Sequence, residues 1–337
     1  NAVSVLIVWV GGSYIDAGAI QTGDMIAFIT YSMVVIMSFL MIGMVSVMLP
    51  RADVAAQRID EVLETAPSIV DAVETLPFPE GRDASGVEIS FDDVTFSYDK
   101  ESDPVLDHVS FTAQAGKTTA VIGSTGSGKS TVIKLIERFY DVDSGAVRVD
   151  GVDVRDIAQH DLRAVFGYVP QKAFLFSGTV ADAVSYADDS IDDARMRFAV
   201  ETAQVADFVD ACEQGFETGI SQGGTNVSGG QRQRLSIARA LARDARAYLF
   251  DDSFSALDYE TDARLRKAIA EKLSGKTVLI VAQRISTVLS ADRIVVLEDG
   301  SVAGQGTHEE LMRTCSAYRE IALSQLSEEE LKGGGSR

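Results

Sequence analysis

The sequence predicts an α/β domain with a wound parallel sheet, preceded by transmembrane α-helices. Three observations predict this architecture. Residues 26–49 contain no charged side chain, a glycine-rich turn at 123–131 separates a strand pattern from a helical pattern, and short apolar runs recur later in the chain, each joined to a helical pattern.

The uncharged run at 26–49 is long enough to cross a hydrocarbon core of about 30 Å as a helix that rises about 1.5 Å per residue. A second uncharged run at 2–15 predicts the end of a preceding span. No lysine or arginine precedes Arg51, and Arg58 follows soon after, so the positive-inside rule places everything beyond Pro50 in the cytosol. We therefore expect a multi-pass protein of the cell membrane. A signal peptide is the alternative, but no basic segment precedes the first run.

The same patterns predict the domain limits. Residues 1–65 are expected to be the end of a transmembrane domain whose last helix continues into the cytosol. Residues 66–86 hold three of the six prolines and predict a linker. Residues 87–326 are expected to form the α/β domain. Residues 327–337 are expected to form a tail, with a short capped helix at 327–331 followed by a glycine-rich stretch.

Alternation of apolar and polar residues at 87–96 and 105–113 predicts antiparallel strands, and Asp150-Gly151 predicts a tight hairpin turn. These strands predict a small β-subdomain. Buried parallel strands are predicted from the short apolar runs at 118–122, 247–250 and 278–281. A helix is predicted after the glycine-rich turn, because Val132, Leu135, Ile136 and Phe139 follow one another at 3.6-residue spacing.

The glycine-rich turn satisfies the G-x-x-x-x-G-K-S/T pattern of nucleoside-triphosphate sites. It consists of Gly123, Ser124, Thr125, Gly126, Ser127, Gly128, Lys129, Ser130 and Thr131. Backbone N–H groups of such a turn point at phosphates, the helix N-terminus adds positive potential, and Lys129 supplies a charge to the β- and γ-phosphates. Ser130 is placed to bind Mg²⁺, so ATP and Mg²⁺ are the predicted ligands. The alternative is a glycine-rich turn without a ligand.

A second motif points to one class of nucleotide-binding protein. Val227-Ser228-Gly229-Gly230-Gln231 resembles the signature motif of the ABC transporter ATPases. The resemblance covers essentially the whole chain and implies an ABC-type P-loop NTPase fold, with a β-subdomain and a helical subdomain at about 174–241. It also implies that Ser228, Gly229, Gly230 and Gln231 contact the ATP held by a second subunit. A glycine turn that opens an amphipathic helix is the alternative.

The resemblance assigns roles to four further residues. Tyr98 matches the aromatic residue that stacks on adenine. Gln171 matches the glutamine that senses Mg²⁺ and the γ-phosphate and couples to the membrane domain. Asp251 matches the Walker B carboxylate that holds Mg²⁺. Asp258 matches the D-loop aspartate at the dimer interface.

Two catalytic positions depart from the family pattern. Asp252 stands where active members have Glu, and Gln283 stands where they have His. A carboxylate shortened by one methylene retreats by about 1.5 Å, and an amide cannot take up a proton. A further departure, Gln222 in place of Glu, lies ahead of the signature. Because Lys129, Asp251 and the signature are intact, the chain resembles the degenerate-site subunit of heterodimeric exporters.

Composition argues against other function classes. The net charge of −20 leaves no clustered basic footprint for DNA or RNA. Cys212 and Cys315 fit neither a disulfide framework nor metal-ligand spacing, so they are predicted to be thiols in a reducing compartment. The three histidines form no zinc motif.

The resemblance therefore implies a half of an ABC exporter. Its expected partners are a second half-transporter, in a heterodimer or a homodimer, membrane lipid and a transported substrate that the sequence does not identify. Export is favoured over import because the membrane and nucleotide domains follow in that order on one chain. Two alternatives stay open: an ATP-binding regulatory subunit with little hydrolysis, and a soluble ABC ATPase outside transport. The two apolar runs argue against the second alternative.

Overall fold

The computed structural model describes residues 2–77, 86–186 and 191–325. The chain divides into two compact units, Asn1–Ser68 and Ile69–Arg337. The helix and glycine-rich tail predicted at 327–337 lie outside the described residues, and so do residues 78–85 of the predicted linker.

The first unit consists of two helices, α1 (Ala2–Asp16) and α2 (Thr22–Glu64), so both uncharged runs are helical. The side chain of Asp24 accepts a hydrogen bond from the N–H of Gln21 at 2.9 Å and so caps the start of α2. None of the residues of α2 is buried within the unit, and its apolar side chains point to all sides. Among the described residues, α2 is the one helix long and apolar enough to cross a membrane. The predicted cytosolic continuation is part of the same helix.

In the described residues of the second unit, the strands pair in three sheets and helices cover them. The strands are β1 (Ile89–Phe96), β2 (Leu106–Ala113), β3 (Thr118–Gly123), β4 (Ser144–Val149), β5 (Val152–Asp153), β6 (Phe166–Val169), β7 (Gly178–Thr179), β8 (Gly219–Ile220), β9 (Ala247–Asp251), β10 (Thr277–Ala282), β11 (Arg293–Glu298) and β12 (Ser301–Gly306). The helices are α3 (Lys129–Ile136), α4 (Gln159–Ala164), α5 (Val180–Ser185), α6 (Asp193–Thr202), α7 (Ala206–Ala211), α8 (Gly229–Ala242), α9 (Tyr259–Lys272), α10 (Ile285–Val288), α11 (His308–Thr314) and α12 (Ser316–Gln325).

The largest sheet has the order β12-β11-β3-β10-β9-β6, parallel throughout except for β12. This confirms the three predicted parallel strands, now β3, β9 and β10. Strands β6 and β11 belong to the same sheet but were not predicted. In such a sheet all parallel strands end at one edge, where ligand sites form.

A second, antiparallel sheet has the order β2-β1-β4-β5 and confirms the predicted β-subdomain strands. Asp150 and Gly151 turn the β4–β5 hairpin with φ angles of 50° and 83°. Positive φ at both central residues is the geometry that an Asp-Gly hairpin turn requires. Residues 174–241, where a helical subdomain is expected, contain α5, α6, α7 and most of α8, together with the short β7–β8 ribbon.

The core lies on both faces of the parallel sheet. Along β3, Val121 faces a cluster that includes α3 and the antiparallel sheet, whereas Ala120 and Ile122 face a cluster formed with the helices that follow α4. Strands that are buried on both faces consist of continuous apolar runs, so β3, β9 and β10 could be predicted from the sequence. The sheet is therefore a fixed platform for the loops at its carboxyl edge.

The prediction that the helix after the glycine-rich turn includes Phe139 is wrong. Helix α3 ends at Ile136, and the Phe139 side chain is 40% exposed. The N–H of Phe139 donates to the C=O of Lys134 at 2.8 Å, while Arg138 has a φ of 50° and donates from its N–H to Leu135 at 3.1 Å. This pair of bonds is a Schellman motif, in which a left-handed residue ends the helix.

The described part of the predicted linker is docked on the second unit from Ile69 onward. The guanidinium of Arg138 donates to the C=O of Val70 at 3.1 Å. The N–H of Gln159 donates to the carboxylate of Asp71 at 3.0 Å. The N–H of Leu76 donates to a backbone carbonyl next to α4 at 2.7 Å. This segment is therefore held by hydrogen bonds rather than being a free tether.

Candidate functional site

The carboxyl edge of the parallel sheet holds a cavity of about 310 Å³. The glycine-rich turn follows β3, Gln171 follows β6, Asp251 ends β9 and Gln283 follows β10. The cavity is lined by Tyr98, Val105, Thr125, Gly126, Gly128, Lys129, Ser130, Thr131, Lys134, Gln171, Asp252, Val281 and Gln283. The topology thus brings together predicted residues that lie far apart in sequence.

The turn ahead of α3 wraps around the ammonium group of Lys129. The Nζ atom donates to the C=O of Gly123 at 3.0 Å and to the C=O of Ser124 at 2.5 Å, and the Oγ of Ser127 lies 3.5 Å away. Burial lowers the pKa of Lys129, and the carboxylates of Asp252 and Asp251, at the end of β9, partly offset this effect. The hydrogen-bond partners of the ammonium are thus neutral carbonyl and hydroxyl groups. Its positive charge is therefore available to bind phosphate oxygens.

Gly128 is a position of the turn where the backbone leaves no room for a side chain. Its φ is 91°, and a Cβ added there would lie 2.8 Å from the C=O of Val105 and 2.5 Å from Leu106. A side chain would therefore clash with backbone as well as strain the left-handed conformation. Only glycine lets the turn enter α3 against the neighbouring strand.

Ser130 and Asp251 form a hydroxyl–carboxylate pair at the floor of the site. The Ser130 Oγ donates to the Asp251 Oδ1 at 2.7 Å. Burial raises the pKa of Asp251, and the Ser130 hydrogen bond opposes the increase. Oxygen ligands of this kind, one from a turn and one from a strand end, are those that Mg²⁺ prefers. The residues present therefore fit the predicted metal.

Asp252 lies between two side-chain amides. Its Oδ2 accepts from the Nε2 of Gln283 at 3.0 Å and from the Nε2 of Gln171 at 3.4 Å. The backbone of Asp252 is left-handed, with a φ of 46°, and its N–H donates to the C=O of Val281 at 2.9 Å. Burial raises the pKa of Asp252, while the amide hydrogen bond from Gln171 opposes the increase.

Tyr98 also lines the cavity, from the loop after β1, and is 47% exposed. Its hydroxyl is 3.0 Å from the Thr131 Oγ1 and accepts from the Lys134 Nζ at 3.2 Å. Its ring packs edge-on against Phe96 and Tyr140. An exposed ring fixed in this way can offer a face to a flat, apolar group.

The structure does not bring the signature residues or Asp258 to this cavity. Ser228 caps α8, and its Oγ accepts from the N–H of Gln231 at 3.2 Å while Gly229 begins the helix. Asp258 caps α9 and lines a separate cavity of about 500 Å³. The pKa of Asp258 is lowered by hydrogen bonds from the backbone N–H and the side chain of Thr261. Contact of these residues with a nucleotide would need a second chain.

The sequence did not single out Lys134, Val105 and Val281, which also line the cavity. Lys134 follows Ser130 by one helical turn, so the spacing alone could have placed it on the cavity side of α3. Val105 and Val281 could not have been found, because only the pairing of strands brings them to the site.

This chain is similar in sequence and in fold to known proteins. The sequence model of the ABC transporter family matches residues 106–255. The fold is similar to the structure of a bacterial Atm1-family ABC exporter with ATP bound, with a TM-score of 0.80 and 32% identity, covering 92% of this chain and 54% of that one. The chain belongs to the ABC transporter family.

Curated ABC relatives agree with this assignment. An uncharacterized ABC transporter ATP-binding protein of Mycobacterium tuberculosis is 44% identical over 328 residues, which are 96% of this chain and 56% of the relative. An ATP-dependent lipid A-core flippase of Desulfotalea psychrophila is 35% identical over 316 residues, or 93% of this chain and 54% of the relative. The chain spans about half the length of these relatives.

In this ABC domain the buried carboxylate of Asp252 is expected to lower stability. Because its folded-state pKa is raised above the ordinary 3.8, ionisation destabilises the fold; the penalty is absent below that value and complete above the raised pKa. Asp252→Asn should therefore raise the melting temperature of the nucleotide-free protein at pH 7. Calorimetric melting of both proteins between pH 3.5 and 7 measures this difference.

The gain from Asp252→Asn should disappear toward acid pH, where the wild-type carboxyl is neutral. A gain that is equally large at the acid end, or a loss of stability at pH 7, would contradict the burial argument. The exposed Asp193→Asn on α6 is the matched control and should not reproduce the pH-dependent gain.

Proposed function

We propose that this chain is the ATP-binding and membrane-spanning part of an ABC exporter subunit that couples ATP binding and hydrolysis to transport. One observation carries the proposal. Lys129, the Ser130–Asp251 pair and the amides of Gln171 and Gln283 converge at one edge of the sheet, around a cavity of about 310 Å³. A protein that binds a triphosphate with Mg²⁺ needs a cation, oxygen ligands for the metal and hydrogen-bond donors for the phosphate oxygens, and these residues supply all three.

The triphosphate would lie along the turn from Gly123 to Lys129. Lys129 would exchange its carbonyl partners for the β- and γ-phosphate oxygens, and the first turn of α3 would add its N–H groups. Ser130 and Asp251 would hold Mg²⁺, which neutralises phosphate charge when it is bound. Tyr98 would stack on the adenine ring at the rim.

The catalytic end of the site supports slow hydrolysis. Asp252 is the carboxylate available to orient an attacking water, and two amides already donate to its Oδ2. Gln283 can donate to the γ-phosphate through its amide, but it supplies no imidazolium charge. We therefore assign this chain the slow site of a pair of composite ATP sites.

The second composite site would be completed by the signature of this chain. Ser228 and Gly229 are exposed at the start of α8, and neither they nor Asp258 face the cavity of their own chain. A partner half-transporter, in a heterodimer or a homodimer, would present its own ATP to them. This chain combines a signature motif that matches the family with a catalytic carboxylate that departs from it. This combination favours the heterodimer.

Helix α2 supports a membrane location, and the basic residues that follow Pro50 support a cytosolic nucleotide domain. A curated relative is named as a lipid A-core flippase, which favours an amphiphilic lipid as the substrate class. A second candidate function, an ATP-binding regulatory subunit with little hydrolysis, is favoured by the Asp252 and Gln283 substitutions alone.

Reconstitution of the full-length protein in lipid vesicles tests the proposal, alone and with a second half-transporter. We expect ATP hydrolysis and ATP-dependent movement of a fluorescent phospholipid when two halves are present. Hydrolysis that needs neither membrane nor partner would favour a soluble ATPase instead. Nucleotide binding without hydrolysis in every combination would favour the regulatory subunit.

A further inference from the structure

The side-chain amide of Gln325 makes two hydrogen bonds to the backbone of the loop that carries Gln283. Its Oε1 accepts from the N–H of Ile285 at 2.9 Å, and its Nε2 donates to the C=O of Gln283 at 2.9 Å. An amide offers one acceptor and one pair of donors, so a single side chain fixes the backbone on both sides of Arg284. These bonds join positions 40 and 42 residues apart in sequence.

The helix that carries Gln325 is itself firmly placed. Tyr318 and Ala322 of α12 are fully buried, and α12 packs on α10 and β11. The Tyr318 hydroxyl lies 2.8 Å from the Nδ1 of His308 and so links α12 to α11. Gln325 therefore extends from a rigid support, which lowers the entropic cost of holding an exposed side chain in one geometry.

The opposite side of the same loop is tied to the catalytic carboxylate. The guanidinium of Arg284 donates to the C=O of Ser255 at 3.0 Å, and the Ser255 Oγ donates to the C=O of Asp252 at 2.8 Å. The side chain of Gln283 donates to Asp252 directly. The position from which the Gln283 amide reaches into the cavity is thus fixed on one side by Asp252 and Ser255, which follow β9, and on the other side by Gln325.

We propose that Gln325 is a positioning residue that holds Gln283 where its amide can donate to the γ-phosphate, and so sets the preference of this site for ATP over ADP. The inference rests on the proposed function, because it needs a nucleotide in the cavity. ADP lacks the phosphate that Gln283 would contact. Loss of the Gln325 hydrogen bonds therefore weakens ATP binding and leaves ADP binding unchanged.

Calorimetric titration of the intact protein with Mg·ATP and with Mg·ADP tests this. Gln325→Ala should weaken ATP binding by about three- to tenfold, the equivalent of one hydrogen bond, with ADP affinity within twofold of wild type. Ser324→Ala is the matched control, because within the described residues the Ser324 hydroxyl donates to the C=O of Ile321 in its own helix and makes no other hydrogen bond. It should bind both nucleotides as the wild type does.

Two further variants separate positioning from general loosening of the fold. Gln325→Glu keeps an acceptor for Ile285 but faces the Gln283 carbonyl with another acceptor, so it should show the same ATP-selective loss. In a Gln283→Ala background, Gln325→Ala should have no additional effect on ATP binding. An additive loss there would overturn the positioning role.

The outcomes also distinguish this inference from the proposed function. If wild-type protein binds neither nucleotide, the proposed function fails and the inference fails with it. If wild-type protein binds both, and Gln325→Ala weakens both equally or weakens neither, then the inference alone is overturned.

Discussion

Replacing Asp252 by Glu and Gln283 by His together is expected to raise the rate of ATP hydrolysis at this site by roughly 10²- to 10⁴-fold, the range of general acid–base assistance. The Asp252 carboxylate accepts from both neighbouring amides at its Oδ2. A glutamate reaches about 1.5 Å further toward an attacking water, and a histidine can carry charge to the γ-phosphate. We also expect Asp252→Glu to lower stability slightly, because the backbone at position 252 is left-handed and aspartate adopts this conformation more readily than glutamate.

Single-turnover hydrolysis of radiolabelled ATP measures this effect in the complex with the partner half, with the partner's own site made inactive. Asp252→Asn combined with Gln283→His is the matched control, because it supplies the imidazole without a carboxylate and should stay at or below the wild-type rate. An unchanged rate per site in the Glu–His variant would contradict the assignment of a slow site.

Removing the ammonium group by Lys129→Ala is expected to lower the affinity for Mg·ATP by about 100-fold, the loss of two charge-assisted hydrogen bonds. The fold should persist, because burial already lowers the pKa of this lysine and its partners are the neutral carbonyls of the turn and the Ser127 hydroxyl. Displacement of a fluorescent ATP analogue from the intact protein measures the affinity.

Lys267→Ala is the matched control for the change in charge. Lys267 lies on α9 with 78% of its side chain exposed, and a salt bridge of 4.0 Å to Glu271 is its nearest ion pair. Its removal should leave the affinity within twofold of the wild type. Equal affinities for Lys129→Ala and Lys267→Ala would show that the turn does not bind the triphosphate.

Local sequence was sufficient for the elements that rest on periodicity and turn chemistry. Apolar runs with no polar face predict β3, β9 and β10 because those strands are buried on both sides. Asp150-Gly151 predicts its hairpin because both residues tolerate positive φ. The spacing of Gly123, Gly128 and Lys129 predicts the turn because each residue has a separate steric or electrostatic task.

Features that depend on distant contacts could not be predicted in this way. Asp252 accepts hydrogen bonds from both Gln171 and Gln283 because β6, β9 and β10 are neighbours in the sheet. No single segment of the sequence encodes this strand order. Periodicity carried the α3 pattern too far, to Phe139, because a Schellman motif with a non-glycine residue has no strong sequence signal. The bonds of Gln325 join α12 to a loop about 40 residues earlier.

The most direct test of this account is calorimetric titration of ATP into the intact protein, with and without Mg²⁺. The account predicts uptake of one nucleotide per chain in the presence of Mg²⁺ and much weaker uptake when a chelator removes the metal. Absence of any Mg²⁺-dependent nucleotide binding would contradict the claim that the cavity between the glycine-rich turn and Asp252 is an ATP site.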